Sequence, residues 1–333
     1  MSCPLFARLD PGYRVLSSGE KRSHSKTLIV FGQYRGKSVA LKIFSKSRGE
    51  RRGLETEVRI YRKSTALMRR HWTPNIVAYV TAATCSVRSL PPRIRSQLPF
   101  VDDTVGILVT ERIAGPSVRQ ALPQLSASES YSIIFQVAHA LAMLDLGGIR
   151  HADLHIGNVL LEPRGGATLY KFRAARGMRY FSVPTPYLVK IFDWDQGDLV
   201  GAPNPYTQQS CDVLDGCGPN VKADLYTFLS NFWYETRLRP VRRFIEQLID
   251  PLLLEAGLPD GLFEQRDGFM HRLCRGPIAD RCPARVTNQE CQGKWWPADC
   301  LLATPAQIMQ QPLYRRWRSA PNPNAWGAEL RIQ

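Results

Sequence analysis

Ile149-Arg150-His151-Ala152-Asp153-Leu154-His155-Ile156-Gly157-Asn158-Val159-Leu160-Leu161 is the stretch whose reading decides the fold, and Leu188-Val189-Lys190-Ile191-Phe192-Asp193-Trp194-Asp195 answers it further along. Each contains a short apolar run, Val159 to Leu161 and Leu188 to Phe192, that reads as a strand. Polar residues sit at one end of each run, so short loops carrying Asp153, Asn158 and Asp193 would be fixed on rigid elements. An Asn carbonyl and an Asp carboxylate are hard oxygen donors of the type Mg²⁺ takes.

In-line phosphoryl transfer needs one carboxylate near the acceptor hydroxyl and metal ligands that neutralise a triphosphate. Asp153 suits the first role, and Asn158 and Asp193 suit the second. The order His-x-Asp, with Asn five residues after the Asp, resembles the catalytic loop of the protein-kinase superfamily. Asp153-Leu154-His155-x-Gly157-Asn158-Val159-Leu160-Leu161 is most similar to the haspin branch, and also resembles aminoglycoside and choline phosphotransferases, which place His where most serine/threonine kinases have Lys. The resemblance implies an α+β, two-lobed protein-kinase-like fold: a small antiparallel β-sheet lobe with one helix, and a larger, mainly helical lobe. It implies ATP and Mg²⁺ as cofactors, Asp153 and His155 as catalytic-loop residues, and Asn158 and Asp193 as nucleotide and metal ligands.

Other parts of the pattern stand in the same order. Thr27 to Phe31 and Ser38 to Phe44 read as strands joined at Tyr34-Arg35-Gly36-Lys37, within a β-meander over residues 13–44. Period two places Val39, Leu41 and Ile43 on one face and Ala40 and Lys42 on the other. A lysine central in an apolar strand is costly to bury unless an anion meets it. Val39-Ala40-Leu41-Lys42 resembles the superfamily's Val-Ala-Ile-Lys, whose Lys holds the α- and β-phosphates and pairs with a helix Glu. The helical segment from Leu54 to Tyr61 offers Glu57 as that partner and Glu55 as the fallback.

His71 to Tyr79 resembles the entry to the family's fourth strand, Ser86 to Phe100 reads as a basic loop, and Val105 to Glu111 as an apolar strand. Glu111-Arg112-Ile113-Ala114-Gly115 resembles the hinge between lobes. Thr110 would then guard the adenine pocket, Ala40 would line it, and the backbone of Glu111 to Ile113 would bond the adenine edge. Leu16 to Lys26 stands where the glycine-rich phosphate loop should be and has a single glycine, Gly19. Glycines matter there because backbone N–H groups must approach phosphate oxygens with no Cβ in the way. Lys21, Arg22 and serines would carry part of that load.

Ser126-Ala127-Ser128-Glu129 is a capping box, opening a helix that Gly147-Gly148 ends. Ala152 replaces the Arg that many kinases use to bind an activation-loop phosphate, so activity should not await that modification. Residues 162–187 form an insertion in which Lys171, Arg173, Arg176 and Arg179 alternate with Tyr170, Phe172, Tyr180 and Phe181. Haspin has a comparable hairpin there. The aromatics either pack on the lobe with the bases in water, the favoured arrangement, or stack on nucleic acid. Asp224-Leu225-Tyr226-Thr227-Phe228-Leu229 resembles the anchoring helix whose Asp holds the catalytic-loop backbone, and Thr304-Pro305 to Tyr314 resembles the last kinase helix. Val241 to Leu254 and Gln265 to Leu273 read as helices. The expected division is an N-lobe at 1–110, a hinge at 111–115, a C-lobe at 116–318 and a loose tail at 319–333.

The chain has 333 residues, 44% hydrophobic and 22% charged, which is ordinary globular composition. No apolar run approaches the ~20 residues of a membrane span, and Met1-Ser2-Cys3-Pro4 lacks a signal pattern, so a soluble intracellular protein of the cytoplasm or nucleus is expected. Eight cysteines without paired spacing suggest reduced thiols; His271, Cys274, Cys282, Cys291 and Cys300 raise a zinc site but lack a Cys-x-x-Cys knuckle. The formal charge of +15 favours acidic partners and disfavours a basic histone tail, with nucleic acid a less favoured partner of the basic surface. The expected activity is transfer of the γ-phosphate of Mg-ATP to a serine or threonine hydroxyl of a protein. The alternatives are a small-molecule kinase of the aminoglycoside or choline type and a catalytically inactive kinase-like scaffold.

Overall fold

The computed structural model describes residues 3–9, 12–15, 27–45, 51–98, 103–174, 177–200, 221–248 and 304–328. Strands β1 (Arg14–Val15), β2 (Thr27–Tyr34) and β3 (Lys37–Ser45) are followed by helix α1 (Arg51–Arg69), strand β4 (Tyr79–Ser86), the short helix α2 (Pro92–Arg95) and strand β5 (Thr104–Glu111). The strands form one antiparallel sheet in the order β1-β2-β3-β5-β4. Arg35 and Gly36 both take positive φ in the turn between β2 and β3, the handedness that a two-residue hairpin turn requires. Val39, Leu41 and Ile43 are buried together with Leu28, Val30, Val105, Ile107 and Val109, and Leu5, Leu9, Leu90 and Ile94 close this layer. Lys42 lies on the opposite face, toward α1.

Two expectations for this lobe fail. Cys3 and Cys85 form a disulfide that ties the N-terminal segment to β4, where reduced thiols were expected. The two are 82 positions apart, so no spacing rule could pair them; the sheet brings them together. Part of the supposed basic loop at 86–100 is ordered: α2 carries Arg93 and Arg95 outward and buries Ile94.

Beyond the sheet come α3 (Val118–Ala121), α4 (Ala127–Leu146), β6 (Ile149–Arg150), β7 (Val159–Pro163), β8 (Ala167–Ala174), β9 (Gly177–Pro184), β10 (Tyr187–Ile191) and β11 (Asp198–Leu199). Three helices follow among the described residues: α5 (Val221–Glu235), α6 (Arg239–Leu248) and α7 (Pro305–Met309). Ser126 Oγ accepts from the Glu129 N–H while Glu129 bonds back to the Ser126 N–H, a reciprocal cap worth about 1 kcal/mol to α4. The helix is buried nearly all round, and its polar members find partners: Gln136 Oε1 accepts from Asn75, Tyr170 and Val189. A buried polar group needs such a partner or costs stability.

β8 and β9 form the hairpin inserted between β7 and β10, with Tyr170, Phe172, Phe181 and Val183 turned inward. Phe135 of α4 meets Tyr170 at 5.8 Å and Phe181 at 5.1 Å between ring centroids. Of the four hairpin rings, Tyr170, Phe172 and Phe181 are therefore committed to the core and unavailable to stack on nucleic acid; Arg176 lies outside the described residues.

The expected loose tail is also corrected as far as Ala328. Ser319 donates its N–H to Tyr180 O at 3.0 Å, Trp326 to Leu169 O at 3.0 Å, and Lys171 to Trp326 O at 2.7 Å, so the segment satisfies backbone groups of the hairpin. Trp326 stacks on His71 with centroids 3.9 Å apart, and Gly327 donates to His71 O. Gly327 has φ 152, and a Cβ there would stand 1.8 Å from Lys171 O, so only glycine fits. A Pro- and Asn-rich composition concealed this packing, because the backbone rather than an apolar pattern makes the bonds.

No helix among the described residues is long and apolar enough to cross a membrane. The expected helix from Gln265 to Leu273, the end of the one beginning at Val241, and the cluster of His271, Cys274, Cys282, Cys291 and Cys300 fall outside the described residues.

Candidate active site

Three elements deliver charge to one point. Lys42 projects from β3, Glu57 from α1, and Asp193 from the end of β10. Lys42 Nζ lies 2.6 Å from Asp193 Oδ1 and 3.1 Å from Glu57 Oε1. Burial opposes the charge on Lys42, but the Asp193 and Glu57 carboxylates hold its pKa well above the ordinary lysine range. Burial also works against ionised Asp193, yet the ammonium at 2.6 Å prevails and holds that carboxyl below its usual value. For Glu57 burial wins: its pKa is pushed up to about 7, with Lys42 at the longer distance offsetting only part. Lys42 is thus paired chiefly with Asp193.

The loop from His151 to Asn158 is pinned from below. Asp224 on α5 accepts from the N–H of His151 at 2.8 Å and of Ala152 at 2.7 Å. This secures the positive φ of 61 at Ala152. Burial pushes Asp224 up to about 7 against the pull of those two bonds. Asp153 O accepts from the His155 N–H and from Asn158 Nδ2, which orients the Asn158 amide and leaves its Oδ1 with no donor among the described residues. His155 Nδ1 accepts from the Gly157 N–H, so the neutral ring carries its proton on Nε2, which lies 3.9 Å from Asp153 Oδ2. The Asp153 side chain is 46% exposed, open to an acceptor.

Strand register brings the loop and Asp193 together. β7 and β10 pair antiparallel with Val159 opposite Ile191, and the Phe192 N–H then bonds Asn158 O, so the next residue, Asp193, emerges beside Asn158. Asp193 has φ 68, and its N–H donates to the Tyr61 hydroxyl at 3.1 Å. Trp194 is fully buried between His151, at 4.7 Å, and Tyr61, nearly perpendicular to it at 6.3 Å between ring centroids. Burial lowers His151 to about 4, so it stays neutral and donates from Nε2 to Phe192 O. Asp195 is raised by burial and by the charge of Asp193.

Thr110 stands opposite Ala40 across β5 and β3, on the face that carries Lys42. The Glu111 N–H is taken by Ala78 O and the Arg112 N–H by Ser38 O, so of the three donors only Ile113 lacks a partner among the described residues. Gly19 and the rest of residues 16–26 lie outside them.

Sequence reasoning passed over two residues here. Lys190 is buried on β10, with Nζ 3.0 Å from Glu111 Oε1 and 3.4 Å from Ile76 O, tying the Glu111 side chain inward. Its signal was the same as that of Lys42, a lysine inside an apolar strand. Gly115 passes so close to β7 that a Cβ would stand 1.6 Å from Leu161 O, which explains the glycine directly after the crossing between lobes.

No family model matches the chain, and no curated protein matches it. Among solved structures it is similar to a crystal structure of a kinase domain, at 13% identity over 95% of this chain and 98% of that one, with a TM-score of 0.46. The class is defined by the geometry of the site and the lobes. A sheet lobe with one long helix, a mainly helical lobe, and a lysine, two carboxylates and an amide converging between them make this a two-lobed, protein-kinase-like α+β fold.

Proposed function

We propose that the chain is an ATP-dependent phosphotransferase and, within that class, a serine/threonine protein kinase of the haspin-like type. The observation that carries this is the placement of Lys42 Nζ between Glu57 and Asp193, with Asn158 and Asp153 on the adjoining loop. An ammonium held there with an anion on two sides is suited to the α- and β-phosphates of ATP, and Glu57 orients it. The Asp193 carboxylate and the undonated Asn158 Oδ1 are hard oxygens that fit Mg²⁺, which when bound neutralises charge on the triphosphate. Asp153 takes the acceptor hydroxyl's proton, and His155 stands beside it. Ala40, Thr110 and the Ile113 N–H line the adenine position, and Gly19 contributes to the phosphate loop.

The haspin-like assignment is supported by the β8–β9 hairpin between β7 and β10 together with His155. The charge of +15 favours an acidic protein over a basic tail as acceptor. The second reading, a small-molecule kinase, is favoured by Asp153-Leu154-His155 occurring with Asp193-Trp194-Asp195.

The test has two stages. Mg·ATP should raise the melting temperature of the wild type and not of Asp193→Ala; no shift in either points to an inactive scaffold. Incubation with γ-labelled ATP should then label Ser/Thr peptides from a degenerate library. Label on choline or an aminoglycoside instead establishes the small-molecule reading.

A further inference from the structure

We infer that the Tyr61 hydroxyl is a positioning group that fixes the backbone of Asp193 and makes the placement of α1 and of Asp193 a single event. The inference rests on the proposed site but assigns a role that none of its chemistry requires. Tyr61 lies one helical turn beyond Glu57 on α1. Its side chain is buried, its ring stands nearly perpendicular to that of Trp194, and its hydroxyl accepts the Asp193 N–H at 3.1 Å across 132 positions of sequence. Glu57 and Tyr61 therefore both reach Asp193 from one helix, the first through Lys42 and the second directly.

The contact matters because of the conformation it holds. Asp193 has φ 68, a region that costs a non-glycine residue free energy unless its surroundings over-determine it. The preceding residue is held by the Phe192 N–H bond to Asn158 O, and the Asp193 side chain by Lys42. The peptide N–H between these two fixed points has the tyrosine oxygen as its acceptor. Rotating α1 away would release Glu57 from Lys42 and the Asp193 amide from Tyr61 together. A leucine or phenylalanine would fill the same apolar space against Trp194 but would leave the amide without an acceptor inside the protein. Asp195 in place of a freely rotating glycine works in the same direction, since it narrows the conformations open to the segment.

Tyr61→Phe removes the oxygen alone, and Tyr61→Met keeps apolar bulk without a ring. Amide hydrogen exchange at Asp193 in the nucleotide-free protein is the primary readout, because it does not depend on catalysis or on ATP being the ligand. We expect exchange at that amide at least tenfold faster in both variants, with the melting temperature of Tyr61→Phe within a few degrees of wild type. We also expect the Mg²⁺ concentration that half-saturates the nucleotide-induced melting shift to rise about fivefold, a modest coupling for one hydrogen bond. Tyr170→Phe, which loses a buried hydroxyl bonded to Gln136 away from the site, should leave the Mg²⁺ dependence unchanged. Unaltered exchange in Tyr61→Phe, or acceleration confined to Tyr61→Met, would overturn the inference, since ring packing rather than the hydroxyl would then hold the segment. A wild type that shows no nucleotide shift would instead refute the proposed function and leave the exchange measurement to decide the Tyr61 contact.

Discussion

The junction of β3, α1 and β10 and the assembly of the β8–β9 hairpin with residues 318–328 are built on opposite principles. In the junction, side-chain charges meet: Lys42 with Asp193 and Glu57, in a buried setting where attraction outweighs desolvation at Lys42 and Asp193 and desolvation prevails at Glu57. In the hairpin assembly, backbone groups and rings meet: Trp326 and Ser319 complete hydrogen bonds that β8 and β9 leave open, while Phe135, Tyr170 and Phe181 fill the space behind. The first arrangement spends stability to hold charge where it can act; the second returns stability and holds no charge at its centre. Chemistry and stability should therefore be separable by mutation.

The largest effect should come from Asp153→Asn, which should reduce turnover by about 10³-fold while leaving nucleotide affinity and melting temperature near wild type. A parallel loss of nucleotide binding, measured by thermal shift, would blur the contrast by making Asp153 part of the nucleotide pocket. Gly327→Ala should do the reverse, costing about 3 kcal/mol in denaturant unfolding through its collision with Lys171 O, with nucleotide affinity retained in the folded fraction.

A smaller effect should appear in the pH dependence of stability on the hairpin side. Burial lowers His139 to about 4, and its Nε2 bonds Lys171 O, so the fold keeps the ring neutral. A group with a depressed folded pKa contributes stability that is complete above its ordinary pKa near 6.5 and is lost as pH falls toward 4. Unfolding free energies at pH 7.5 and 5 should show the wild type losing about 2 kcal/mol relative to His139→Gln over that interval. The smallest effect should be none: with Ala152 in place of an arginine, phosphatase treatment should change turnover by less than about twofold. Abolished activity would place a regulatory phosphate in a region that lacks the expected guanidinium.

The two regions also differ in how much of them was legible. Lys42 stood out because period-two alternation put a charge inside an apolar strand, and the short loops around Asp153 and Asp193 were anchored by local strand patterns. Lys190 carried the same signal and was passed over because no motif drew attention to it. The tail was read as loose because residues 319–328 have no hydrophobic periodicity; they are held through N–H and C=O groups that every residue has, so composition carries no trace of the contact. Hinge backbone groups likewise look equivalent in sequence, and only the fold decides that Ala78 O and Ser38 O take the Glu111 and Arg112 N–H groups.

By itself the sequence determined which chemical groups the chain can bring to bear and in what order, because alternation, capping and turn chemistry act over a few residues. Tertiary structure alone decided which carboxylate takes the Lys42 charge, that a tyrosine oxygen receives the Asp193 amide, and that Cys3 reaches Cys85. Those contacts join positions 151, 132 and 82 apart, and at such separations a partner is chosen by strand register and helix packing rather than by any local preference.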